Sequence, residues 1–508
     1  MASFSGGAMT IEKVARAMSW SLVSRVAAFT ASLAASILIV RSLDSRDYGI
    51  LSEIRTILAY VYVLVMLGVD SALLKYLPML RVGGGIRRFF GTLRGLILMQ
   101  LGVWICLLAV SRFGGAFLGA FFQERAGRFG FYLQVAVCVG ILEISMAIVT
   151  NICQAWYETK RLAVVMIGGN ALYMASLAAV LRLGWGITGV LLSSALMNLA
   201  MVLALAPHAR GLLRTATEEA TTSLPLGTIL RFSLPIVANG LLNLVVWRQS
   251  EVIFLGHFRG PEAAGYFSLA YRNPQLLLEF VPLTIWPLVM AGMSEVYARN
   301  ESDLPRAIDL YFRLIYLLVV PIAAIGFAFA RPLVPILFGS KMIPAAVLTQ
   351  LFFVVFSYSF LYTPMSMALY VMGRSWVNML IFFCLAVINV SLDLTFIPRY
   401  GLWGAFVPTS LVLLFAIVAF HLAMRRFRPD VRAPFRFIGR CYGAALPAAL
   451  FGFVSYRWSS PVALAWEMPV AIALLILGFR VMKVMGTAEK ELIERLPIPF
   501  KRQLVWIL

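Results

Sequence analysis

About fourteen stretches of predominantly apolar residues follow one another along this chain, each long enough as a helix to cross roughly 30 Å of hydrocarbon. They fall at 18–41, 54–78, 89–111, 129–154, 162–181, 185–207, 230–256, 265–292, 310–337, 344–372, 376–397, 401–424, 440–457 and 462–482. The polar segments between them are too short for a folded domain, the longest running from His208 to Thr228. The pattern predicts an all-α polytopic membrane protein. Pro235, Pro282 and Pro287 lie inside runs and are expected to kink helices rather than end them, since neighbouring helices in a bundle re-satisfy a freed carbonyl.

The runs repeat. Gly49 in DYGILS recurs as Gly265 in AGYFS, Arg161 after the fourth run as Arg374 after the tenth, and the pair Gly186 and Gly189 as Gly401 and Gly404, all at an offset of about 215 residues. Six spans fit in that offset, and an even number keeps both copies in the same orientation. The expected architecture is two six-helix lobes related by a parallel pseudo-two-fold axis, 1–210 and 211–428. Helices 13 and 14 follow at 429–484 and an amphipathic tail at 485–508. In transporters of this build, substrate binds between the lobes and access alternates by their rocking.

Composition sharpens the class. The 508 residues are 61% hydrophobic and 13% charged, with a mean hydropathy of +0.89; soluble chains of this size carry about a quarter charged residues. The formal charge is +20, which on a soluble protein would point to nucleic acid. Here about two thirds of the Lys and Arg fall on one side of the spans, which places both termini in the cytoplasm. The cluster Arg425, Arg426, Arg428, Arg432, Arg436 and Arg440 is part of that bias and would also attract anionic headgroups. The tail from Thr487 alternates charged and apolar residues like an interfacial helix.

Three histidines and five cysteines without CxxC or HExxH spacing give no metal or thiol chemistry, and no disulfide framework or cofactor is expected. No phosphate-binding G-x-x-x-x-G-K-[ST] occurs, so work must come from an ion gradient, the membrane potential or the substrate's own gradient. The N-terminus lacks the features of a cleaved signal peptide, and the first run is expected to stay as a transmembrane helix.

Charges inside spans cost about 2.5–3.5 kcal/mol each and usually face a cavity or a partner. Arg25, Arg55, Arg248 and Arg272 lie in the first two helices of the two lobes. Arg272, Gln275 and Glu279 share one helical face, and Asn239 and Asn243 pair at i, i+4. Arginine suits phosphate because its planar fork donates two parallel hydrogen bonds and keeps its charge when desolvated. This gives a candidate anion site of Arg25, Arg55, Arg248, Arg272, Glu251, Gln275 and Asn243. The competing reading pairs Arg248 with Glu251 at i, i+3 and lets Arg55 and Arg272 reach water from helix ends. Glu143, Asp393 and Glu279 are candidates for carrying a coupling proton or cation; a packed polar contact is the alternative for Glu143 and Asp393.

The stretches ILIVRSLDSRDYGILSEIRTI and LGVDSALLKYLP (37–78), EVIFLGHFRGPEAAGYFSLAYRN (251–273), and MALYVMGRSWVNML through LTFIPRYGLWGAFVPTSL (367–411) resemble bacterial polysaccharide flippases. These are the Wzx-type branch of the multidrug/oligosaccharidyl-lipid/polysaccharide exporter superfamily. The resemblance implies an inner-membrane flippase, not an enzyme, that moves undecaprenyl-diphosphate-linked oligosaccharide to the periplasmic leaflet for O-antigen, capsule or exopolysaccharide assembly. It implies a cationic central cavity, onto which Arg25, Arg55, Arg248 and Arg272 map by helix position, and membrane lipids, a glycan polymerase and chain-length machinery as partners. A groove for the lipid tail beside helices 13 and 14 would follow by analogy with lipid II flippases. A drug/cation antiporter of the same superfamily is the runner-up, disfavoured by the two extra helices and by arginines that would repel cationic drugs. A membrane-embedded polymerase or ligase would need a large outer loop, which this chain lacks.

Overall fold

The computed structural model describes residues 11–83, 86–113, 115–122, 126–214, 225–247, 250–455, 463–484 and 486. The tail from Thr487, and with it the expected amphipathic helix, lies outside the described residues, as does Arg248. The described residues are helical almost throughout, and thirteen helical stretches among them are long and apolar enough to cross a membrane, one of which, Ser340–Val371, takes in more than one helix. The run expected at 265–292 lies within one further helix, Pro261–Arg299.

The chain divides into two compact units. The first extends to Leu244 and takes in Gly260–Glu262; the second comprises Val245–Arg259 and the described residues from Ala263 on.

The first unit holds α1 (Ile11–Ser42), α2 (Ser45–Met66), α3 (Val69–Gly83), α4 (Ile86–Phe113), α5 (Gly115–Phe121), α6 (Ala126–Ala155), α7 (Thr159–Arg182) and α8 (Gly186–Arg214), together with α9 (Leu226–Trp247) as far as Leu244. Asp44 caps α2, its side chain accepting from Asp47 N at 2.7 Å. The span expected at 54–78 is broken at Leu67 and Gly68, both with positive φ (47° and 70°). The break frees carbonyls that lipid cannot satisfy, so protein groups must. Gln100 on α4 donates to the freed Met66 O at 3.1 Å; Gly68 O accepts from Ala72 N at 2.9 Å and, additionally, from Ser233 on α9 at 3.3 Å. A side chain at Gly68 would meet Ser233 Cβ at 2.7 Å as well as the left-handed backbone, so glycine is required twice over. Pro235 sits within continuous α9.

The second unit holds α10 (Ser250–Arg259), α11 (Pro261–Arg299), α12 (Leu304–Phe338), α13 (Ile343–Ser359), α14 (Thr363–Val371), α15 (Ser375–Tyr400), α16 (Leu402–Phe427), α17 (Phe435–Ser455) and α18 (Leu464–Val481), the first two residues of α11 belonging to the other unit. α12 packs on α13 and α17, and α15 on α16. The span expected at 344–372 is two helices, α13 and α14, with Pro364 in the first turn of the second. Helices 13 and 14 of the sequence pattern are α17 and α18, which pack on each other and on α12. Gly452 lets α17 approach α12 so closely that a Cβ would lie 2.5 Å from Ala328 Cβ; in lipid, packing of small residues largely drives such association.

The polarity of the fold is that of a membrane protein. Leu203, Phe383, Val418 and Leu477 are outward and exposed, while Gln100, Asn378, Asn389, Asp393 and Thr409 are buried. The polar groups have gone to the interior, where partners exist, and the apolar ones to the perimeter.

Candidate functional site

Each unit brings polar side chains from separate apolar helices together. In the first, Arg55 is half-buried on α2 and lies within electrostatic reach of Glu143 on α6. Glu143 and Asp70, the latter at the start of α3, both act on Tyr62 of α2. A guanidinium and a carboxylate expected for different tasks are therefore neighbours. Arg25 is exposed on α1. Asn243 Nδ2 donates to Asn239 O at 2.9 Å and to its Oδ1 at 3.1 Å, which realises the polar pair read from the spacing.

The second unit contains a buried acid cluster. Glu251 in the first turn of α10 is 1% exposed and Asp393 on α15 is 0% exposed. Thr409 on α16 donates to Glu251 Oε1 at 2.8 Å. Asn389, one turn before Asp393, places its Nδ2 3.4 Å from Glu251 Oε1, 3.4 Å from Asp393 Oδ2, 3.1 Å from Ser250 Oγ and 3.2 Å from Val245 O. Glu251 lies close enough to Asp393 for the two charges to act on each other.

The hydrogen count of this cluster does not balance. Asn389 has two amide hydrogens for four acceptors. The single Thr409 hydroxyl hydrogen is shared with Ala405 O at 2.8 Å, and Ser250 spends its own on Val245 O at 2.9 Å. Asn389 Oδ1 and Asp393 Oδ1 are buried with no hydrogen-bond partner, and no Lys or Arg forms an ion pair with either acid among the described residues. Such a set of oxygens, in excess over donors and removed from water, favours uptake of positive charge. Two carboxylates, an amide oxygen and a hydroxyl are the donors a small hard cation prefers, and an added proton would also relieve the excess. Among the described residues no three His, Cys, Asp or Glu gather as a multidentate metal site.

The cluster lies beside the last described residues of α9, which runs to Trp247, and the first of α10, which starts at Ser250. Val245 O is served by Ser250 and Asn389. Trp247 O accepts from Tyr271 Oη at 3.0 Å and from Gln275 Nε2 at 3.2 Å. Gln275 Nε2 also donates to Glu279 Oε1 at 3.1 Å, so two members of the predicted α11 face are joined directly; Arg272 lies half-buried on the same helix. The Trp247 ring stacks on Tyr362 at 5.1 Å and 21°.

Of the residues singled out from sequence, the fold joins Glu251 with Asp393, Arg55 with Glu143, and Gln275 with Glu279. Sequence reasoning passed over Asn389, Thr409, Ser250 and Tyr271. Asn389 and Asp393 form an i, i+4 polar pair in an otherwise apolar run, a signal that could have been read; a lone Thr or Tyr in a membrane helix carries none. The cluster is not duplicated: one repeat earlier, positions 35–38 and 177–180 read Ala-Ser-Ile-Leu and Leu-Ala-Ala-Val.

A family described as "Polysaccharide biosynthesis protein" matches residues 38–347. Among solved structures, the lipid II flippase MurJ in an inward closed conformation is similar with a TM-score of 0.63 at 13% identity, over 91% of this chain and 97% of that one. A multidrug resistance MATE family transporter of the MOP superfamily, inward-facing, gives 0.61 at 16% identity over 78% and 93%. A MOP superfamily transporter from Pyrococcus furiosus gives 0.59 at 16% over 82% and 95%. No curated protein matches the sequence significantly. At these identities the structural likeness concerns the fold.

Proposed function

Since the chain belongs to the polysaccharide biosynthesis protein family and has the multi-pass helical fold of the MOP superfamily, we propose that it flips undecaprenyl-diphosphate-linked oligosaccharide from the cytoplasmic to the periplasmic leaflet of a bacterial inner membrane. Both termini are cytoplasmic, access alternates between two lobes, and the product feeds surface polysaccharide assembly, where a polymerase and chain-length machinery act next. Arg25, Arg55, Arg248 and Arg272, assisted by Asn243, recognise the diphosphate.

The observation that carries the transport reading is the buried acid cluster of Glu251 and Asp393. A buried, donor-poor pair of carboxylates is costly to keep as a structural contact, whereas a transporter uses it to bind a coupling cation, sodium or a proton. When the cation is bound, the site supplies a charge that can be taken up on one side and released on the other; Glu251, Asp393, Asn389 and Thr409 hold it. Glu143 beside Arg55, and Glu279 beside Gln275, are the further acids through which ion and substrate binding communicate. The membrane potential acts in the same direction: an inside-negative potential favours outward movement of an anion by about 2.3 kcal/mol per charge per 100 mV, hence about 4–5 kcal/mol for a doubly charged diphosphate.

A drug/cation antiporter is the second reading, favoured by the likeness to MATE transporters in fold. Reconstituted vesicles loaded with diphosphate-linked, monophosphate-linked and neutral lipid-linked glycan decide between them. The flippase reading expects the diphosphate lipid to be moved fastest. Equal rates for all three carriers, or export of organic cations in exchange for sodium without lipid movement, would replace it.

A further inference from the structure

The arginines between positions 425 and 440 part company in the fold. Arg428 is spent on Asp430 and Glu301 O, and Arg425 and Arg426 lie in the last turn of α16, where the helix dipole favours a cation. Arg436 and Arg440 are exposed on the first two turns of α17, where the same dipole disfavours them. One turn apart, they also repel each other. No acid compensates them. The first turn of α17 has none, and Asp309 on the adjoining α12 is held by Arg313 at 2.7 Å. From Val431 to Gly486 the sequence contains a single carboxylate, Glu467, at the opposite end of α18.

The end of α18 brings a third cation to the same place. α18 meets α17 so closely at Gly478 that a Cβ there would overlap Ala444 O, and a Cβ at Gly443 would lie 3.7 Å from Met482 Cε. Arg440, one turn before Ala444, and Lys483, next to Met482, therefore stand at the same end of the pair. Lys483 takes a positive φ of 49°, an unfavourable backbone for a residue with a Cβ; the turn closes with Lys483 N donating to Arg480 O and Val484 N to Phe479 O, each at 3.1 Å. Among the described residues Arg436, Arg440 and Lys483 form no ion pair. The outer face of α17 continues from the arginines past Gly439, where a Cβ would meet nothing within 4 Å, to the exposed Leu446, Leu450 and Val454, whose spacing keeps them on one face.

We infer that this end of the α17 and α18 pair is a binding site for an anionic phospholipid of the surrounding leaflet. Arg436, Arg440 and Lys483 take its phosphates, and the exposed apolar face of α17 takes its acyl chains. Basic pockets between membrane helices suit such headgroups, and a phosphate at the start of α17 also satisfies the helix dipole that the arginines oppose. Three cations from two helices exceed what one phosphodiester neutralises, so a phospholipid with two phosphates is the preferred occupant. The lipid is a resident of the membrane and not the transported one, so the inference stands apart from the flippase reading.

The test follows thermal unfolding of the purified full-length protein in detergent during titration with cardiolipin, phosphatidylglycerol, phosphatidylcholine or inorganic pyrophosphate. Cardiolipin is expected to stabilise at the lowest concentration, phosphatidylglycerol at a higher one, and the other two not at all. Arg440→Gln and Lys483→Gln should each raise the cardiolipin concentration needed by about fivefold and the double variant by about 25-fold, the scale of one surface cation and of two. Arg399→Gln, in the last turn of α15, should leave it unchanged. Each variant is read against its own lipid-free unfolding temperature, so a loss of intrinsic stability does not mimic a loss of binding. Equal stabilisation by phosphatidylcholine, or an unchanged titration of the double variant, overturns the inference. An equal response to pyrophosphate makes this a site for soluble phosphate and overturns it too. Stabilisation that appears only once residues 487–508 are removed would give the cations to the chain's own tail, with Glu489, Glu491 and Glu494, and would equally overturn the lipid assignment.

Discussion

Glu251 and Asp393 share one donor, the amide of Asn389, which lies 3.4 Å from a carboxylate oxygen of each. The two acids come from helices far apart in the chain, and among the described residues no Lys or Arg forms an ion pair with either. A pair so placed is stable only when something positive joins it, which makes its behaviour on neutralisation diagnostic.

Glu251→Gln and Asp393→Asn should therefore move stability and activity in opposite directions. Without sodium and at alkaline pH, each variant should unfold in detergent at a higher temperature than the wild type, by the equivalent of about 1–2 kcal/mol, because a repelling buried charge is gone. Flipping in reconstituted vesicles should fall about 10–100-fold and lose its dependence on an imposed ion gradient. Variants that are destabilised yet transport normally would show the acids to be ordinary packing groups.

Arg55 and Glu143 allow a similar separation. Arg55→Ala should abolish surface polysaccharide in cells and also destabilise the first unit, since it leaves Glu143 without its nearby cation. Adding Glu143→Gln should restore thermal stability but not polysaccharide. If the double variant regains transport, Arg55 is a structural counter-ion and not part of the diphosphate site. Arg25→Ala and Arg272→Ala are expected to reduce polysaccharide with normal membrane insertion.

The break in the second span depends on its braces. Gln100→Leu leaves Met66 O unsatisfied inside the bundle, at a cost of about 1–3 kcal/mol. Gly68→Ala should cost at least as much through the left-handed backbone and the approach of Ser233. Thermal unfolding of the purified variants measures both; values near the wild type would mean that another donor reaches Met66 O and that the turn at Gly68 accommodates a side chain.

Outside the spans, Arg428 donates to both carboxylate oxygens of Asp430, at 3.0 and 2.7 Å, and to Glu301 O at 2.9 Å, so it ties the linker after α16 to the turn before α12. The hydrogen bonds from Arg428 hold the Asp430 carboxyl below its usual range. A lowered folded pKa contributes stability that is present above the unfolded value of about 3.9 and is lost as pH falls through the folded one. Asp430→Asn should remove that acid-limb dependence. The effect at neutral pH should be at most about 1 kcal/mol, because solvent screens so exposed a pair. An unchanged acid limb in thermal unfolding would assign it to other carboxyls.

Much of this protein is legible from the chain alone. Long apolar runs can only be satisfied in lipid as helices, so the all-helical class and the many membrane-crossing segments follow from composition and spacing without knowledge of contacts. Charged residues inside those runs mark themselves, because each is expensive where it stands; Arg55, Glu143, Glu251 and Asp393 stand out for that reason. Their partners do not. Where a span breaks depends on whether another helix offers a donor to the freed carbonyls, as Gln100 does for Met66. Such a donor lies tens or hundreds of positions away and is an ordinary residue in its own segment. Likewise the meeting of Glu251 with Asp393 through Asn389 and Thr409 is a matter of which faces of α10, α15 and α16 pack together. Membrane insertion is a property of each segment, whereas satisfying a buried polar group is a property of the assembled bundle.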